Sequence, residues 1–186
     1  MKVQIFETPL SGVLVVESRC FPDERGSFME AYSELEFLRA GFPETVFVQD
    51  NLSCSVKGTL RGMHYQIHPY GMAKLIRVVK GAVFDVAVDL RVGSATFGQW
   101  VGETLTEDNG KAMFVPCGFA HGFLSLEEDS LVYYKSDQFY EPSSERSLHY
   151  ADPEVGIVWP DEVCVVSPKD EAAPILRNAE YNFRMV

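Results

Sequence analysis

The sequence predicts an all-β fold, a sandwich or closed barrel of short strands with little helix. Three observations predict it. Short runs rich in Val, Leu, Phe and Tyr recur along the chain, with turn residues between them. The clearest run, Ala82 to Leu90, alternates with period two, so that Phe84, Val86, Val88 and Leu90 share one face and Val83, Asp85, Ala87 and Asp89 the other. The length of 186 residues suits one well-buried core and is short for two. No repeat, low-complexity tract or linker divides the chain, so residues 1–186 read as a single domain.

The elements follow in order. Val13 to Val16 reads as a strand. Ser33 to Ala40 reads as a helix, with Ser33 as N-cap, Glu36 at the capping-box position and Gly41 as the stop. Strands are then expected over Val46 to Gln49, Thr59 to Gln66, Leu75 to Val79, Val83 to Leu90 and Gly98 to Leu105. Glu107-Asp108-Asn109-Gly110 is a turn, its Asn-Gly pair suiting positive φ. Ala112 to Val115, Gly122 to Leu126 and Leu131 to Ser136 complete the strands. A second short helix follows Pro168, and the C-terminal segment packs over the barrel.

Composition narrows the function. The formal net charge of −11 argues against nucleic-acid or anionic-membrane partners, which call for a basic face. An anionic ligand therefore needs a local cluster of Arg and Lys. No run approaches the roughly eighteen apolar residues of a membrane span, and Met1 to Glu7 does not read as a signal peptide. Cys20, Cys54, Cys117 and Cys164 are dispersed, with no C-x-x-C, which suggests buried or idle thiols in a reducing, cytoplasmic setting. Cys117 as a nucleophile lacks an assigned base.

The chemistry-bearing tracts are Arg61-Gly62-Met63-His64-Tyr65-Gln66 and Pro116-Cys117-Gly118-Phe119-Ala120-His121-Gly122-Phe123. They resemble the two half-motifs of a cupin, which implies a double-stranded β-helix (a jelly-roll barrel) with short peripheral helices. The metal-binding cupin pattern has a His-x-His pair, a Glu and a further His. Here Gln66 stands for the second histidine and no glutamate occurs from Gln66 to Gly81. His64 and His121 remain, a poor cage for zinc or iron, so no metal and no cofactor is expected. Histidines without a metal suit proton transfer.

Other candidates stand beside them. His64 follows Gly62, which leaves space beside it, and in a barrel His64 and His121 can point into one cavity. Lys74 shares a face with Ile76 and Val78; either it snorkels from a strand end or it aims its ammonium at an oxygen gaining negative charge. Of Tyr133 and Tyr134 one faces the cavity, and parity alone leaves open which. Asp170 reads by itself as a solvated tail residue. Arg25 and Arg61 are the candidates for a phosphate clamp. Arg61 and His64 are three apart, so either the strand bends between them or Arg61 reaches round the rim.

Together with Asp23-Glu24-Arg25-Gly26, Phe47 to Asn51, Phe84 to Asp89, Phe97 to Trp100, Tyr134-Lys135, Pro142 to Glu145 and Lys169-Asp170, these tracts resemble the dTDP-4-dehydrorhamnose 3,5-epimerase family over most of the chain. The resemblance implies a metal-free epimerase of a nucleotide-linked 4-keto-6-deoxyhexose, acting as a homodimer whose subunits exchange N-terminal strands. It implies His64 as general base held by Asp170, Tyr134 as acid on the opposite face of the sugar, and Lys74 near the keto oxygen. Arg61 and Arg25 would contact the diphosphate, and Gln49, Asn51, Glu145 and Lys169 the nucleotide and sugar. His121 would lie near the sugar and Phe139 near the base, while Phe21, Arg25 and Glu30 would serve the neighbour's site. The chain departs from the family at Gly71-Met72-Ala73, at Phe139 where a tyrosine is common, and at His149 to Asp152. Alternatives are a single-centre epimerase, a 3,4-ketoisomerase, a non-catalytic sugar-nucleotide binder and a metal-dependent cupin oxygenase.

Overall fold

The computed structural model describes residues 2–185. Two six-stranded sheets face one another. The first contains β1 (Val3–Glu7), β2 (Leu14–Ser18), β5 (Gln49–Ser55), β7 (Lys74–Lys80), β10 (Lys111–Val115) and β12 (Ser130–Ser136). Their spatial order is β1-β2-β10-β7-β12-β5. The second contains β6 (Thr59–Gln66), β8 (Ala82–Asp89), β9 (Trp100–Thr106), β11 (Phe119–Ser125), β13 (Glu145–Ser147) and β14 (Val165–Val166). It runs β13-β6-β11-β8-β9, with β14 added parallel to β6. The remaining strands, β3 (Cys20–Asp23) and β4 (Gly26–Met29), form a separate hairpin.

Alternation along the strands builds the layers. Ile76, Val78, Val83, Ala87, Met113, Phe119, Phe123 and Val132 point between the sheets and form the central core. Opposite faces are covered as well. Val86, Val88 and Leu90 on the back of β8 pack under the C-terminal segment through Leu148, Leu176 and Phe183. Thus the two faces of the Ala82 to Leu90 run are both buried, each by a different layer. Helix α1 (Glu34–Arg39) lays Phe37 against Phe42, Leu75 and Phe114 on the back of the first sheet. Phe37 is fully buried, a contribution of about 2 kcal/mol. Ser33 caps this helix by accepting from the Glu36 N–H at 3.5 Å, as the sequence predicts.

Some elements differ from expectation. The strand expected over Val46 to Gln49 instead begins at Gln49 and continues to Ser55. Val46 and Val48 are exposed β-branched residues outside the ladder, while the polar Gln49 to Ser55 run pairs as an edge strand with β12. The β3–β4 hairpin, β1 and the short β13 carry no strong alternation and are not expected from sequence. In the Asn109-Gly110 turn only Gly110 takes positive φ, at +67°, while Asn109 accepts from the Thr106 and Lys111 N–H groups.

Gly62 resolves the parity of Arg61 and His64. His121 pairs with His64 and Phe123 with Arg61, so two steps on β11 face three on β6. That bulge brings Arg61 and His64 to the same face. Gly62 has φ +130°, and a Cβ there would sit 2.6 Å from the Gly122 Cα, so glycine is required on both counts. The strand bends; Gly62 makes the bulge rather than room beside His64. No helix among the described residues is long and apolar enough to cross a membrane.

Candidate active site

At the open end of the two sheets lies a cleft of two lobes, about 270 Å³ and about 420 Å³. His64, Lys74 and Tyr134 line both. His64 comes from β6 in the second sheet; Lys74 and Tyr134 come from β7 and β12, neighbours in the first. The imidazole therefore faces the phenol and the ammonium from the opposite sheet.

His64 Nε2 lies 2.6 Å from Asp170 Oδ1. The partner comes from far along the chain because β14 returns in parallel beside β6, pairing Val166 with Leu60, and leads into α2 (Pro168–Glu171). Ser167 caps that turn by accepting from the Asp170 N–H at 3.1 Å. Asp170, a tail residue by sequence alone, is 3% exposed. Burial pushes its carboxyl up, but hydrogen bonds from His64, the Gly62 N–H and Ser167 outweigh this and hold it below the ordinary carboxylate range. A carboxylate there accepts from Nε2–H, which fixes the tautomer and leaves Nδ1 with the free lone pair.

Lys74 is partly buried and lines both lobes of the cleft. Burial pushes its ammonium down to about 8, against the pull of Asp85 and Glu145, and its Nζ lies 5.8 Å from the centre of the Tyr134 ring. Burial likewise pushes the Tyr134 phenol above its ordinary value, with Arg61 opposing and Glu145 adding. Tyr134, not Tyr133, is the inward tyrosine. His121 lines the larger lobe, its Nε2 2.8 Å from Asp85 Oδ1. Burial lowers its pKa despite that carboxylate.

Around these groups sit polar anchors. Arg61 lines the larger lobe, donating to Ser55 Oγ and the Cys54 carbonyl, each at 3.0 Å. Gln49, Asn51 and Glu145 line the smaller lobe. Lys169 reaches from α2 to Glu145 at 2.6 Å. Phe139 is 62% exposed at the rim and is not part of the lining; its neighbour Tyr140 is, donating to Glu145 Oε2 at 2.9 Å. The structure does not bring Phe21, Arg25 or Glu30 to this cleft. Phe21 and Arg25 stand on the β3–β4 hairpin outside both sheets, where Arg25 pairs with Asp23, and Glu30 follows it with Lys2 at 3.6 Å.

Sequence reasoning missed Tyr140 and Asp85 as site residues. Asp85 had a signal, a carboxylate alternating with apolar inward residues of β8; Tyr140 had only its place beside Phe139. Cys20, Cys54 and Cys164 are exposed rather than buried, since they lie on edges and loops. Cys117 is half-buried with its thiol pushed up to about 11, first by burial and then by Asp137, which removes it as a nucleophile. Among the described residues no three His, Cys, Asp or Glu side chains gather as a metal site. Asp85 and Asp170 are each taken up by a histidine.

The dTDP-4-dehydrorhamnose 3,5-epimerase family model matches residues 7–178. The dTDP-4-dehydrorhamnose 3,5-epimerase of Shigella flexneri is 42% identical over 179 residues, 96% of this chain and 99% of the relative. The crystal structure of dTDP-6-deoxy-D-glucose-3,5-epimerase from Legionella pneumophila, in complex with dTDP-4-keto-L-rhamnose, superposes with a TM-score of 0.90 at 44% identity, covering 95% of this chain and 94% of that one. A 3′-monoepimerase from Streptomyces bikiniensis, in complex with dTDP-quinovose, gives 0.85 at 36% identity, covering 92% and 88%. The cupin-type barrel is shared with these structures. The family model over residues 7–178 and relatives matched along nearly the whole chain show that the protein belongs to the dTDP-4-dehydrorhamnose 3,5-epimerase family.

Proposed function

We propose that the protein is an isomerase that inverts carbons 3 and 5 of a dTDP-linked 4-keto-6-deoxyhexose, giving the dTDP-4-dehydro-L-rhamnose configuration used in rhamnose synthesis. One observation carries the mechanism: the His64–Asp170 pair opens onto the same cleft as Tyr134 and Lys74, from the facing sheet. The 4-keto group acidifies the hydrogens on both adjacent carbons. His64 Nδ1 takes one of them, and Asp170 stabilises the resulting imidazolium. The electron pair moves onto the keto oxygen as an enolate, which the Lys74 ammonium stabilises. Tyr134 returns a proton from the other face, and the carbon is inverted. Each proton-transfer group accelerates such a step by about 10²–10⁴.

The test is incubation with dTDP-4-keto-6-deoxyglucose in deuterated water, followed by NMR of the ring. Deuterium at carbons 3 and 5 with formation of the L-sugar supports the double reaction. Label at one carbon alone would replace it with single-centre epimerisation, a reading favoured by the close fold of the 3′-monoepimerase. A 3-keto product would mean ketoisomerisation, and binding without exchange a non-catalytic role.

The partner is proposed to be a second copy of the chain. The β3–β4 hairpin stands off its own sheets with Phe28 68% exposed, and β5 is an unpaired edge. On this reading Phe21, Arg25 and Glu30 complete the neighbour's cleft, Arg25 exchanging Asp23 for a phosphate. Mixing Arg25→Ala and His64→Asn subunits checks it. Activity recovered above either variant alone supports shared sites; additive residual activity rejects them. Four free thiols support a cytoplasmic setting.

A further inference from the structure

The segment Phe139-Tyr140-Glu141 crosses the rim of the smaller lobe and is held at three consecutive backbone groups. Gln66 Nε2 donates to the Phe139 carbonyl at 3.2 Å. The Tyr140 N–H donates to Gln49 Oε1 at 3.1 Å. The Glu141 N–H donates to Gln66 Oε1 at 2.7 Å. Gln66 Nε2 also donates to the Tyr70 carbonyl at 2.8 Å, so this amide ties a second loop to the first. Two carbonyls require the NH₂ and one N–H requires the oxygen, which fixes the amide orientation. Gln66 is 4% exposed and spends these bonds on backbone.

The two glutamines come from opposite sheets, Gln49 from β5 and Gln66 from β6, two residues after the base. What they hold is a rim. Tyr140 lines the lobe with its hydroxyl on Glu145, and Phe139 beside it is exposed. The reacting groups lie deeper, so the rim meets the part of the ligand farthest from the reacting carbons. In a nucleotide sugar that is the nucleoside, whose base has a π face for an aromatic ring.

We propose that Gln66 is a positioning residue for nucleotide binding: with Gln49 it clamps Phe139–Glu141 as the wall for the nucleoside. The place that provides a metal ligand in a His-x-His cupin thus acts here as a loop clamp. This rests on the nucleotide-sugar reading of the cleft. It predicts a division of labour on β6, with His64 governing turnover and Gln66 governing affinity.

The test is Gln66→Glu, nearly isosteric but facing two carbonyls with oxygen instead of NH₂. Calorimetry with dTDP should show binding weakened about tenfold, the scale of one lost hydrogen bond to a ligand-holding wall. The KM for dTDP-4-keto-6-deoxyglucose should rise in parallel while kcat stays within about threefold. Hydrogen exchange of ligand-free Gln66→Met, which also removes the oxygen that accepts from the Glu141 N–H, should show the Glu141 amide losing protection. Wild-type KM and dTDP affinity, or a loss in kcat with KM unchanged, would overturn the clamp. If Gln66→Glu does not fold, Gln66→Met, which removes all three bonds without adding charge, is held to the same affinity and KM outcomes. Failure of the wild type to bind dTDP would reject the nucleotide reading itself, and the ligand-free exchange would still report whether Gln66 holds the loop.

Discussion

Two histidine–aspartate pairs lie side by side, their histidines on adjacent strands, and the proposed base belongs to the more open one. His64–Asp170 and His121–Asp85 have similar lengths, 2.6 and 2.8 Å, and the histidines are register partners across β6 and β11. Their surroundings differ. The His64 side chain is 30% exposed and opens onto the cleft, whereas His121 and Asp85 are 7% and 0% exposed. Asp170 has both oxygens engaged, by His64 and by the Gly62 N–H; Asp85 Oδ2 has no partner. Burial disfavours a charged imidazole at His121, with Lys74 and His64 adding to the effect. Identical functional groups thus differ in water access and in their second partners, and the sheet places the open pair where substrate can enter.

The largest expected effect breaks the comparison if it fails. His64→Asn should reduce turnover, and deuterium exchange at both ring carbons, by about 10³–10⁴, while dTDP affinity stays near wild type. An equal loss of exchange in His121→Asn would make the pairs equivalent and refute the assignment. Next comes Lys74→Met. It removes the cation proposed to face the developing enolate, and kcat should fall by about 10²–10³. Tyr134→Phe sharpens the geometry. Exchange of the proton taken by His64 should persist, while net inversion slows by about 10², because reprotonation from the far face loses its donor. Equal losses of exchange and inversion would show that the phenol is not the far-face acid.

How much of this is legible in sequence follows from the range of each signal. Alternation in Ala82 to Leu90 and the capping pattern at Ser33 are local, and the structure follows both. The missing cupin ligands at Gln66 and beyond are equally local, and they point to proton transfer. Asp170 is different. Its burial depends on β14 returning in parallel beside β6, a pairing of two residues with no periodicity to read. Only the family resemblance brings it to His64. The fold of Gly62 over Gly122 is also non-local, so the shared face of Arg61 and His64 stays open until the bulge is seen. Tyr140 is the remaining gap. A residue after the last long strand has no parity, and its inward turn is set by glutamines from two sheets.

The smallest effect asks what the closed pair is for. Asp85 is the first anion holding up the Lys74 ammonium, with Glu145 second, against a burial that pushes it down to about 8. His121 Nε2 lies 2.8 Å from that carboxylate and keeps it oriented. As pH rises through about 8, Lys74 loses its proton and kcat/KM should fall, by about tenfold per unit well above that value. Asp85→Asn keeps a hydrogen-bonding oxygen for His121 and removes the anion. With less negative charge nearby the ammonium is less favoured, so the alkaline limb should move to lower pH. The variant should lose activity about severalfold at pH 8 and recover much of it at pH 6, where Lys74 is again charged. A limb that stays in place, or a loss that is the same at both pH values, would mean that Asp85 supports structure alone and that the second pair has no electrostatic part in the reaction.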